Sequence, residues 1–424
     1  MMRIAIVLVG SATALTLAGP GQPTAARQAD TKLLERARSL HRQVPLIDGH
    51  IDYPWALREK SPGRDLAVLD IRQPQSGIHT DIPRLRAGGV GGVFWSVYVP
   101  ATLAGEKAVT ATLEQIDVVH RMIQRYPDAF ELARTAADVE RTFKAGRIAS
   151  MIGLEGGHSI DSSLAALRML NRLGAKYMTL THSRDVPWAE AAAEQPRGTG
   201  LTRFGEAVVR EMNWLGMLVD LSHVSIKTME DSIRVSDAPV IFSHSSARAL
   251  GDVPRNVPDH ILRTLPKNGG VIMVTFVPGF ISPRPPESRR ARSAEEARLN
   301  ALPGATEATV KEGLTAWSKA NPEPKATLAQ VADHVDHIRK IAGIDHIGLG
   351  SDFDGIESTP VGLEDVSTYP TLTAELLRRG YSDSDVGKIL GLNVLRVMRA
   401  AEKVSARLQS ERPPSSATIQ ELDK

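Results

Sequence analysis

Eight short apolar runs, separated by segments of helical periodicity, limit the fold of this chain more than any other feature. The runs cover residues 45–52, 90–99, 148–155, 177–182, 217–223, 240–244, 270–276 and 347–352. They are continuously apolar rather than alternating, as is typical of strands in a parallel sheet that is covered on both faces. A helix is expected first, at 31–42, and most of the intervals carry helical patterns, at 112–125, 162–173, 203–215, 226–235 and 328–342.

Eight βα units of this kind predict an α/β fold, a (β/α)8 barrel of the TIM type. The alternative is a doubly wound open sheet. That fold would be expected to carry a Gly-rich phosphate loop after its first strand, and the sequence has no such loop there.

Five potential metal ligands stand at the C-terminal ends of these runs. They are His50, Asp52, Glu155, His223 and His244. In a parallel barrel all strand C-termini open onto one face, so side chains far apart in sequence can meet in one cavity. Histidine and carboxylate ligands gathered in this way predict a two-metal hydrolase with its site at the C-terminal ends of the strands.

Three more polar residues belong to the same predicted face. His182 ends the run 177–182, and Asp352 ends the run 347–352, which a closed barrel brings beside the first strand. Asp354 precedes Gly355 and is interpreted as a turn residue rather than a ligand. The other histidines lie in predicted helices or loops and are given no role.

The ends of the chain and one internal segment interrupt the barrel pattern. Residues 1–29 have the layout of a secretory signal peptide with an unclear cleavage site, since 4–17 carry no charge and are too short to span a bilayer. We expect the barrel over 30–404, with an insertion at about 278–325 after the seventh strand, partly helical and mobile, and either a lid or a surface excursion. Residues 405–424 are expected to form a frayed C-terminal tail.

Charge and cysteine content narrow the class of partner and the compartment. The 51 basic and 49 acidic residues give a net charge of +2, so neither nucleic acid nor an anionic membrane is expected as partner, and a small-molecule substrate is. The chain has no cysteine and therefore no disulfide bond. With the signal removed, we expect a soluble periplasmic or secreted protein without stable membrane insertion.

Several separate motifs resemble those of the membrane (renal) dipeptidase family. They are Asp48-Gly49-His50-Ile51-Asp52 with Pro54-Trp55, Gly153-Leu154-Glu155-Gly156, Leu180-Thr181-His182-Ser183, Asp220-Leu221-Ser222-His223, Phe242-Ser243-His244-Ser245, Arg255-Asn256-Val257-Pro258 and Gly350-Ser351-Asp352-Phe353-Asp354-Gly355. The resemblance covers 46–397. It implies a metallopeptidase with a (β/α)8 barrel and two Zn²⁺ ions per chain, acting on dipeptides.

The resemblance also implies a role for each site residue. His50 and Asp52 would bind one zinc ion, Glu155 would bridge both, and His223 and His244 would bind the other. His182 would contact the substrate and the reaction intermediate, Arg255 would contact the substrate carboxylate, and Asp352 would act as acid and base. In the implied mechanism, a hydroxide that bridges the metals attacks the scissile carbonyl without a covalent intermediate.

Two positions depart from the family pattern, because Ile51 and Tyr53 stand where the family usually has Asn and Leu. Strand alternation turns both side chains away from the metals, so we expect metal binding to survive. Their effect on specificity stays open, as do the preferred dipeptide, the physiological role and the oligomeric state, a homodimer included.

Two other functions remain as alternatives. An amidohydrolase-type barrel could cleave cyclic amides or β-lactams at the same site. A non-catalytic metal-dependent binding protein could keep the ligands alone, although such a protein would not need His182 and Asp352.

Overall fold

Nine parallel strands form one sheet in this computed structural model, which describes residues 25–282, 286–321 and 325–423, without the side chains of 25–28, 286, 287, 289, 307 and 308. The strands are β1 (Leu46–Ile51), β2 (Val90–Tyr98), β3 (Phe130–Leu132), β4 (Ile148–Glu155), β5 (Ala175–Thr179), β6 (Leu218–Asp220), β7 (Ile241–Ser245), β8 (Val271–Val274) and β9 (Ile347–Leu349). They run in the order β2-β1-β9-β8-β7-β6-β5-β4, and a further pairing of β2 with β4 closes this ring of eight. The predicted (β/α)8 barrel is therefore confirmed.

Strand β3 is the element that the apolar runs did not predict. It pairs with residues 148–150 of β4, whereas β5 pairs with residues 152–155 of the same strand. Three residues with a glutamate in the middle do not form an apolar run, so the sequence offered no signal for β3.

Three of the predicted strands end three residues earlier than expected. Strands β5, β6 and β9 stop three residues before His182, His223 and Asp352, respectively. His223 and Asp352 both have φ of +69°, a left-handed conformation that a strand cannot contain. His223 and Asp352 therefore lie on turns just beyond their strands, and His182 lies in the loop that follows β5.

Helices cover the outside of the barrel. They are α1 (Ala25–Gln43), α2 (Tyr53–Lys60), α3 (Ile82–Ala87), α4 (Glu106–Arg125), α5 (Ala136–Lys144), α6 (Leu164–Arg172), α7 (Arg203–Leu215), α8 (Ile226–Val235), α9 (Asp259–Leu262), α10 (Leu265–Asn268), α11 (Pro278–Ile281), α12 (Pro286–Asn300), α13 (Glu307–Ala320), α14 (Leu328–Ala342), α15 (Tyr369–Arg378), α16 (Asp383–Gly387), α17 (Asn393–Glu411) and α18 (Ile419–Leu422). A π-helical turn, Lys388–Leu392, joins α16 to α17.

Helices α7, α8 and α14 have the bounds that the sequence predicted, because local capping fixes their ends. The side chain of Thr202 accepts a hydrogen bond from the backbone N–H of Gly205, and Ser225 caps α8 in the same way. Helix α14 begins with a capping box between Thr327 and Gln330. Such caps satisfy N–H groups that a helix leaves unpaired at its start.

Large apolar side chains fill the interior of the barrel below its C-terminal mouth. Ile47, Phe94, Met151, Tyr177 and Met273 come from different strands and are fully buried in one cluster. Because this packing blocks the barrel axis, the strand ends can open only onto the C-terminal face.

The predicted insertion after the seventh barrel strand contains α11, α12 and α13. Helices α12 and α13 pack on each other through a small apolar cluster of Leu299, Val310 and Leu314. The segment begins beside the mouth of the barrel, where Val277 and Phe280 line a cavity described below. The lid role remains a prediction.

The C-terminal residues are packed, and the predicted frayed tail is wrong for 405–423. Helix α17 continues to Glu411. The chain then runs along α6, where Arg168 donates to the carbonyl of Ser415, and along α7, on which α18 packs. The indole of Trp214 donates to the carbonyl of Arg412, and the carboxylate of Asp423 accepts a 2.5 Å hydrogen bond from the hydroxyl of Thr202. These polar contacts come from residues distant in sequence, so local composition gave no indication of them.

The predicted signal peptide falls almost wholly outside the described residues, which begin at Ala25. Within the described part of the chain, none of the helices has the length and apolar character needed to cross a bilayer.

Candidate metal and substrate site

Glu155 lies at the centre of a group of four histidines at the mouth of the barrel. Its Oε1 is 3.1 Å from Nε2 of His223, 3.5 Å from Nε2 of His182 and 3.6 Å from Nε2 of His244. Its Oε2 faces the other way, 3.5 Å from Nε2 of His50, and accepts a hydrogen bond from Ser96. The two oxygens of one carboxylate are thus directed at two different sets of ligands.

Two further carboxylates, those of Asp52 and Asp352, lie beside His50. Nε2 of His50 is 3.4 Å from Oδ2 of Asp52, and potential ligand atoms of His50, Asp52 and Asp352 lie within 4.8 Å of one another. The structure therefore brings together all five predicted metal ligands, and it places His182 and Asp352 beside them.

The donor set fits divalent metal ions. Nε2 of His50 is buried and has no hydrogen-bond partner among the described residues, although it points at two carboxylates. Nε2 of His223 faces Nε2 of His244 at 2.9 Å. Burial lowers the pKa of both histidines well below the usual range, and the positive charge of Arg255 adds to this effect. The neutral imidazoles of His223 and His244 and the carboxylate of Glu155 are ligands that metal ions such as zinc take in proteins. Burial alone would lower the pKa of His50, but Tyr177, Glu155 and Asp52 raise it well above its usual range, so a metal ion would replace a proton on this imidazole.

The carboxyl groups differ in their preference for a proton. Burial alone would raise the pKa of Glu155, but His50 and His182 lower it well below its usual range. Burial raises the pKa of Asp352 well above its usual range, and the negative charge of Asp52 raises it further. Of the two, Asp352 is the one suited to hold a proton.

A cavity of about 370 Å³ opens above these residues. It is lined by Asp52, Trp55, Tyr98, Glu155, His182, His223, Arg255, Val277, Phe280, Asp352, Gly355 and Ile356. A larger groove of about 700 Å³ adjoins it at Val277 and Ile356, but the groove contains none of the clustered histidines. The smaller cavity is therefore the candidate site.

Arg255 contributes a positive charge to the wall of this cavity. Its guanidinium contacts Oγ of Ser245 at 3.4 Å and the carbonyl oxygen of His244 at 3.3 Å, and it lies over the ring of Phe280. Burial lowers the pKa of Arg255 to about 10, against the influence of Asp352 and Glu155. Among the described residues no carboxylate forms a salt bridge with it, since Asp252 pairs with Arg248 and Asp259 with His337.

Two aromatic residues of the cavity were not singled out from the sequence as site residues. The rings of Trp55 and Tyr98 meet edge to face at 4.7 Å, and the Tyr98 ring lies 5.0 Å from that of His182. Trp55 belongs to the first of the family-like motifs, so the sequence contained a sign of its role. Tyr98 ends an apolar strand between Val97 and Val99, so no adjacent polar residue marks it as part of a site.

Ile51 and Tyr53 do not line the cavity, in agreement with the expectation that both turn away from the metals. Both are fully buried. Tyr53 is the first residue of α2 rather than part of a strand, so strand alternation does not explain its direction. The hydroxyl of Tyr53 donates to the carbonyl of Leu69 at 2.9 Å, and its ring packs edge to face on Trp95. Tyr53 therefore stabilises the fold behind the site.

We expect Tyr53→Leu to lower the free energy of unfolding by about 2 kcal/mol or more, because it leaves a cavity and an unpaired carbonyl. The relative rates on different dipeptides should stay unchanged, since the residue does not line the cavity. Urea unfolding and a rate comparison measure the two effects. Tyr53→Phe, which removes only the hydroxyl, should lose less stability, and a changed substrate preference in Tyr53→Leu would contradict the assignment.

The remaining histidines make contacts away from the cavity. They are His41, His79, His120, His158, His260, His334, His337 and His346, and they contact backbone or side-chain groups outside the metal cluster.

Comparison with known proteins gives consistent relatives. Residues 34–412 match the sequence model of the family described as membrane dipeptidase, peptidase family M19. Dipeptidase verJ from Clonostachys rogersoniana is 42% identical over 387 residues, which cover 89% of this chain and 89% of the relative.

Solved structures agree with this result. The structure of the probable dipeptidase PvdM from Pseudomonas aeruginosa matches with a TM-score of 0.77 and 26% identity, over 88% of this chain and 99% of that chain. A metallopeptidase from Rhodobacter sphaeroides, liganded with a phosphinate mimic of the dipeptide L-Ala-D-Ala, matches with a TM-score of 0.69 and 25% identity, over 84% of this chain and 99% of that chain. Each likeness extends over most of the barrel.

Proposed function

This chain belongs to the membrane dipeptidase family of metallopeptidases, and from that premise we propose that it hydrolyses dipeptides with two zinc ions held at the mouth of its barrel. The observation that carries the proposal is the orientation of Glu155, whose Oε1 faces His182, His223 and His244 while its Oε2 faces His50. His50 and Asp52 would hold one ion, His223 and His244 the other, and Glu155 would bridge them. Three nitrogen and carboxylate ligands from the protein for each ion suit a catalytic zinc.

Divalent ions held by these residues would supply Lewis-acid chemistry, since such metals can lower the pKa of a bound water from 15.7 toward about 7 and polarise a carbonyl group. His182 lies with its ring between Tyr98 and His223, from where it would donate a hydrogen bond to the carbonyl oxygen as negative charge develops. Asp352 would take a proton from the attacking water on its carboxylate and pass it to the leaving amine.

Arg255 would bind the terminal carboxylate of the substrate. A guanidinium without a carboxylate partner in the protein can bind a carboxylate bidentately, and this contact would position the substrate relative to the metals. The phosphinate dipeptide mimic bound by the Rhodobacter sphaeroides relative supports a substrate of two residues.

The compartment is a separate part of the proposal. The charged start and uncharged stretch of residues 1–29 support export to the periplasm or the medium, with this segment removed as a signal peptide. The mature enzyme would then consist of the barrel at 30–404 and the C-terminal residues 405–424.

The proposal is tested by measuring the hydrolysis of a panel of L,L and L,D dipeptides together with the metal content of the same samples. We expect turnover of dipeptides by protein that holds about two zinc ions per chain, and one ion fewer in His244→Ala. Activity without bound divalent metal would overturn the zinc site. Hydrolysis of cyclic amides or β-lactams but not of dipeptides would favour an amidohydrolase, and zinc binding without hydrolysis would favour a binding protein.

A further inference from the structure

We propose that two hydroxyl relays fix the tautomers of His50 and His244, so that each presents the lone pair of Nε2 to a metal ion. The relays consist of Tyr177 for His50, and of Ser243 with Asp220 for His244. This inference rests on the proposed function. A neutral imidazole carries one lone pair and one N–H, and the partner of one nitrogen decides which group stands on the other.

The first relay crosses the interior of the barrel from β5 to β1. The hydroxyl of Tyr177 lies 2.7 Å from Nδ1 of His50 and donates to the carbonyl oxygen of Gly49 at 3.1 Å. Because the single hydroxyl proton is used by that carbonyl, the phenolic oxygen can only accept from Nδ1 of His50. Nδ1 then carries the proton, and Nε2 presents its lone pair toward Asp52 and Glu155.

Gly153 makes this reach possible. Tyr177 is fully buried on β5, and its ring passes over Gly153 of the neighbouring strand β4. A β-carbon at Gly153 would collide with Cζ and the hydroxyl of Tyr177. The chain therefore leaves out a side chain on β4 at the point where the tyrosine has to pass.

The second relay runs from β6 to β7. The hydroxyl of Ser243 donates to Oδ2 of Asp220 at 2.6 Å and lies 2.8 Å from Nδ1 of His244. Asp220 and Ser243 are fully buried. Since the serine proton is used by the carboxylate, the serine oxygen accepts from Nδ1 of His244, and Nε2 again keeps its lone pair.

The orientation of the Asp220 carboxylate is itself fixed. Its Oδ1 accepts from the backbone N–H groups of Ser222 at 3.1 Å and of Ser243 at 2.9 Å. In Asp220→Asn the amide oxygen would have to occupy this position, because an NH₂ group there would face two donors. The amide NH₂ would then donate to Ser243, whose hydroxyl would turn and donate to Nδ1 of His244. The proton of the imidazole would move to Nε2, the nitrogen that has to bind metal.

The two relays belong to different ions in the proposed assignment. His50 shares its ion with Asp52, and His244 shares the other with His223. Tyr177, Ser243 and Asp220 touch neither substrate nor metal in this assignment, so they are positioning residues. Loss of one relay should lower the binding affinity for one ion by about 10- to 100-fold and leave the affinity for the other ion unchanged.

The experiment measures how much zinc the full-length protein retains at increasing concentrations of a chelator, for the wild type, Tyr177→Phe, Ser243→Ala and Asp220→Asn. We expect each variant to lose one of two ions at about 10- to 100-fold lower chelator concentration than the wild type. Asp220→Asn should lose its ion more readily than Ser243→Ala, although asparagine is the closer match in shape. A purely structural role predicts the opposite order, because Asp220→Asn changes the shape of the side chain less and should then have the milder effect on zinc binding.

Two controls remove buried hydroxyl groups that do not contact an imidazole. The first is Ser222→Ala. Ser222 lies next to His223, but its hydroxyl accepts from the backbone N–H of His244 and bonds the hydroxyl of Ser245. The second is Tyr53→Phe. Tyr53 directly follows Asp52, but its hydroxyl donates to the carbonyl of Leu69. Both should retain zinc like the wild type, and thermal unfolding checks that every variant is folded.

The outcomes separate the two proposals. A wild type that binds no zinc would contradict the proposed function. A wild type that binds two ions, with relay variants that retain them as the controls do, would overturn the relays alone. A milder effect of Asp220→Asn than of Ser243→Ala would overturn the tautomer argument for His244.

Discussion

Asp352→Asn is expected to lower kcat on a good dipeptide by about 10²-fold or more while the protein keeps its fold and its metal content. Asparagine has nearly the same shape and tolerates the left-handed backbone, with φ of +69°, that Asp352 adopts. It cannot take a proton from the attacking water or return one to the leaving amine. The loss should therefore fall on kcat, and steady-state kinetics with metal analysis of the same samples measures it.

Asp354→Asn is the matched control for this prediction. Asp354 also has φ of +69° and its side chain is buried, but it accepts a hydrogen bond from the backbone of His79 and does not line the cavity. We expect its turnover to stay close to that of the wild type. Normal turnover in Asp352→Asn would remove this residue from the mechanism, and equal losses in both variants would point to a general disturbance of the loop.

The architecture could be predicted because a parallel barrel repeats one simple pattern. Each apolar run, such as 148–155, marks a strand that is buried on both faces, and the polar residue at its end marks the open face. His50, Glu155 and His244 were found in this way, and the closed barrel brings them together. Neither step needs knowledge of contacts between distant residues.

The parts that escaped prediction depend on such contacts. The turns at His223 and Asp352 end their strands early, because of a backbone conformation that residue type does not reveal. Tyr177 looks like one more apolar residue inside a strand, and only the structure shows that its hydroxyl reaches His50 across the barrel. The packing of the C-terminal residues on α7 likewise follows from Asp423 and its partner Thr202, 221 residues apart.

Arg255 is also beyond the reach of pattern alone, since the segment 253–258 is neither strand nor helix. The structure shows why its guanidinium is held in place. The backbone of Val257 pairs with Ser246 and Arg248 beside β7, and the side chain of Asn256 donates to the carbonyls of Gly251 and Phe280. A cation held on such a rigid loop can measure the length of a substrate.

A good dipeptide is therefore expected to be hydrolysed with a kcat/KM about 10²-fold or more above that of its C-terminal amide and of the tripeptide made by extending it. The amide lacks the charge that Arg255 would bind, and the tripeptide carries that charge one residue too far from the metals. Arg255 has no carboxylate partner among the described residues, so the contact with substrate replaces no existing salt bridge. Measuring kcat/KM for the three compounds under the same conditions tests the expectation.

Arg255→Met provides the matched variant, because methionine keeps an unbranched, flexible stem that can still pack on Phe280 while it removes the charge. The variant should lose most of its rate on the dipeptide but little on the amide, so that the difference between the two compounds nearly disappears. If the wild type turned over acid, amide and tripeptide equally well, Arg255 would not select the substrate by its carboxylate. The site would then act on a broader class of amides than dipeptides. The hydrogen bonds that hold the loop of Arg255 would then stabilise the fold without selecting the substrate.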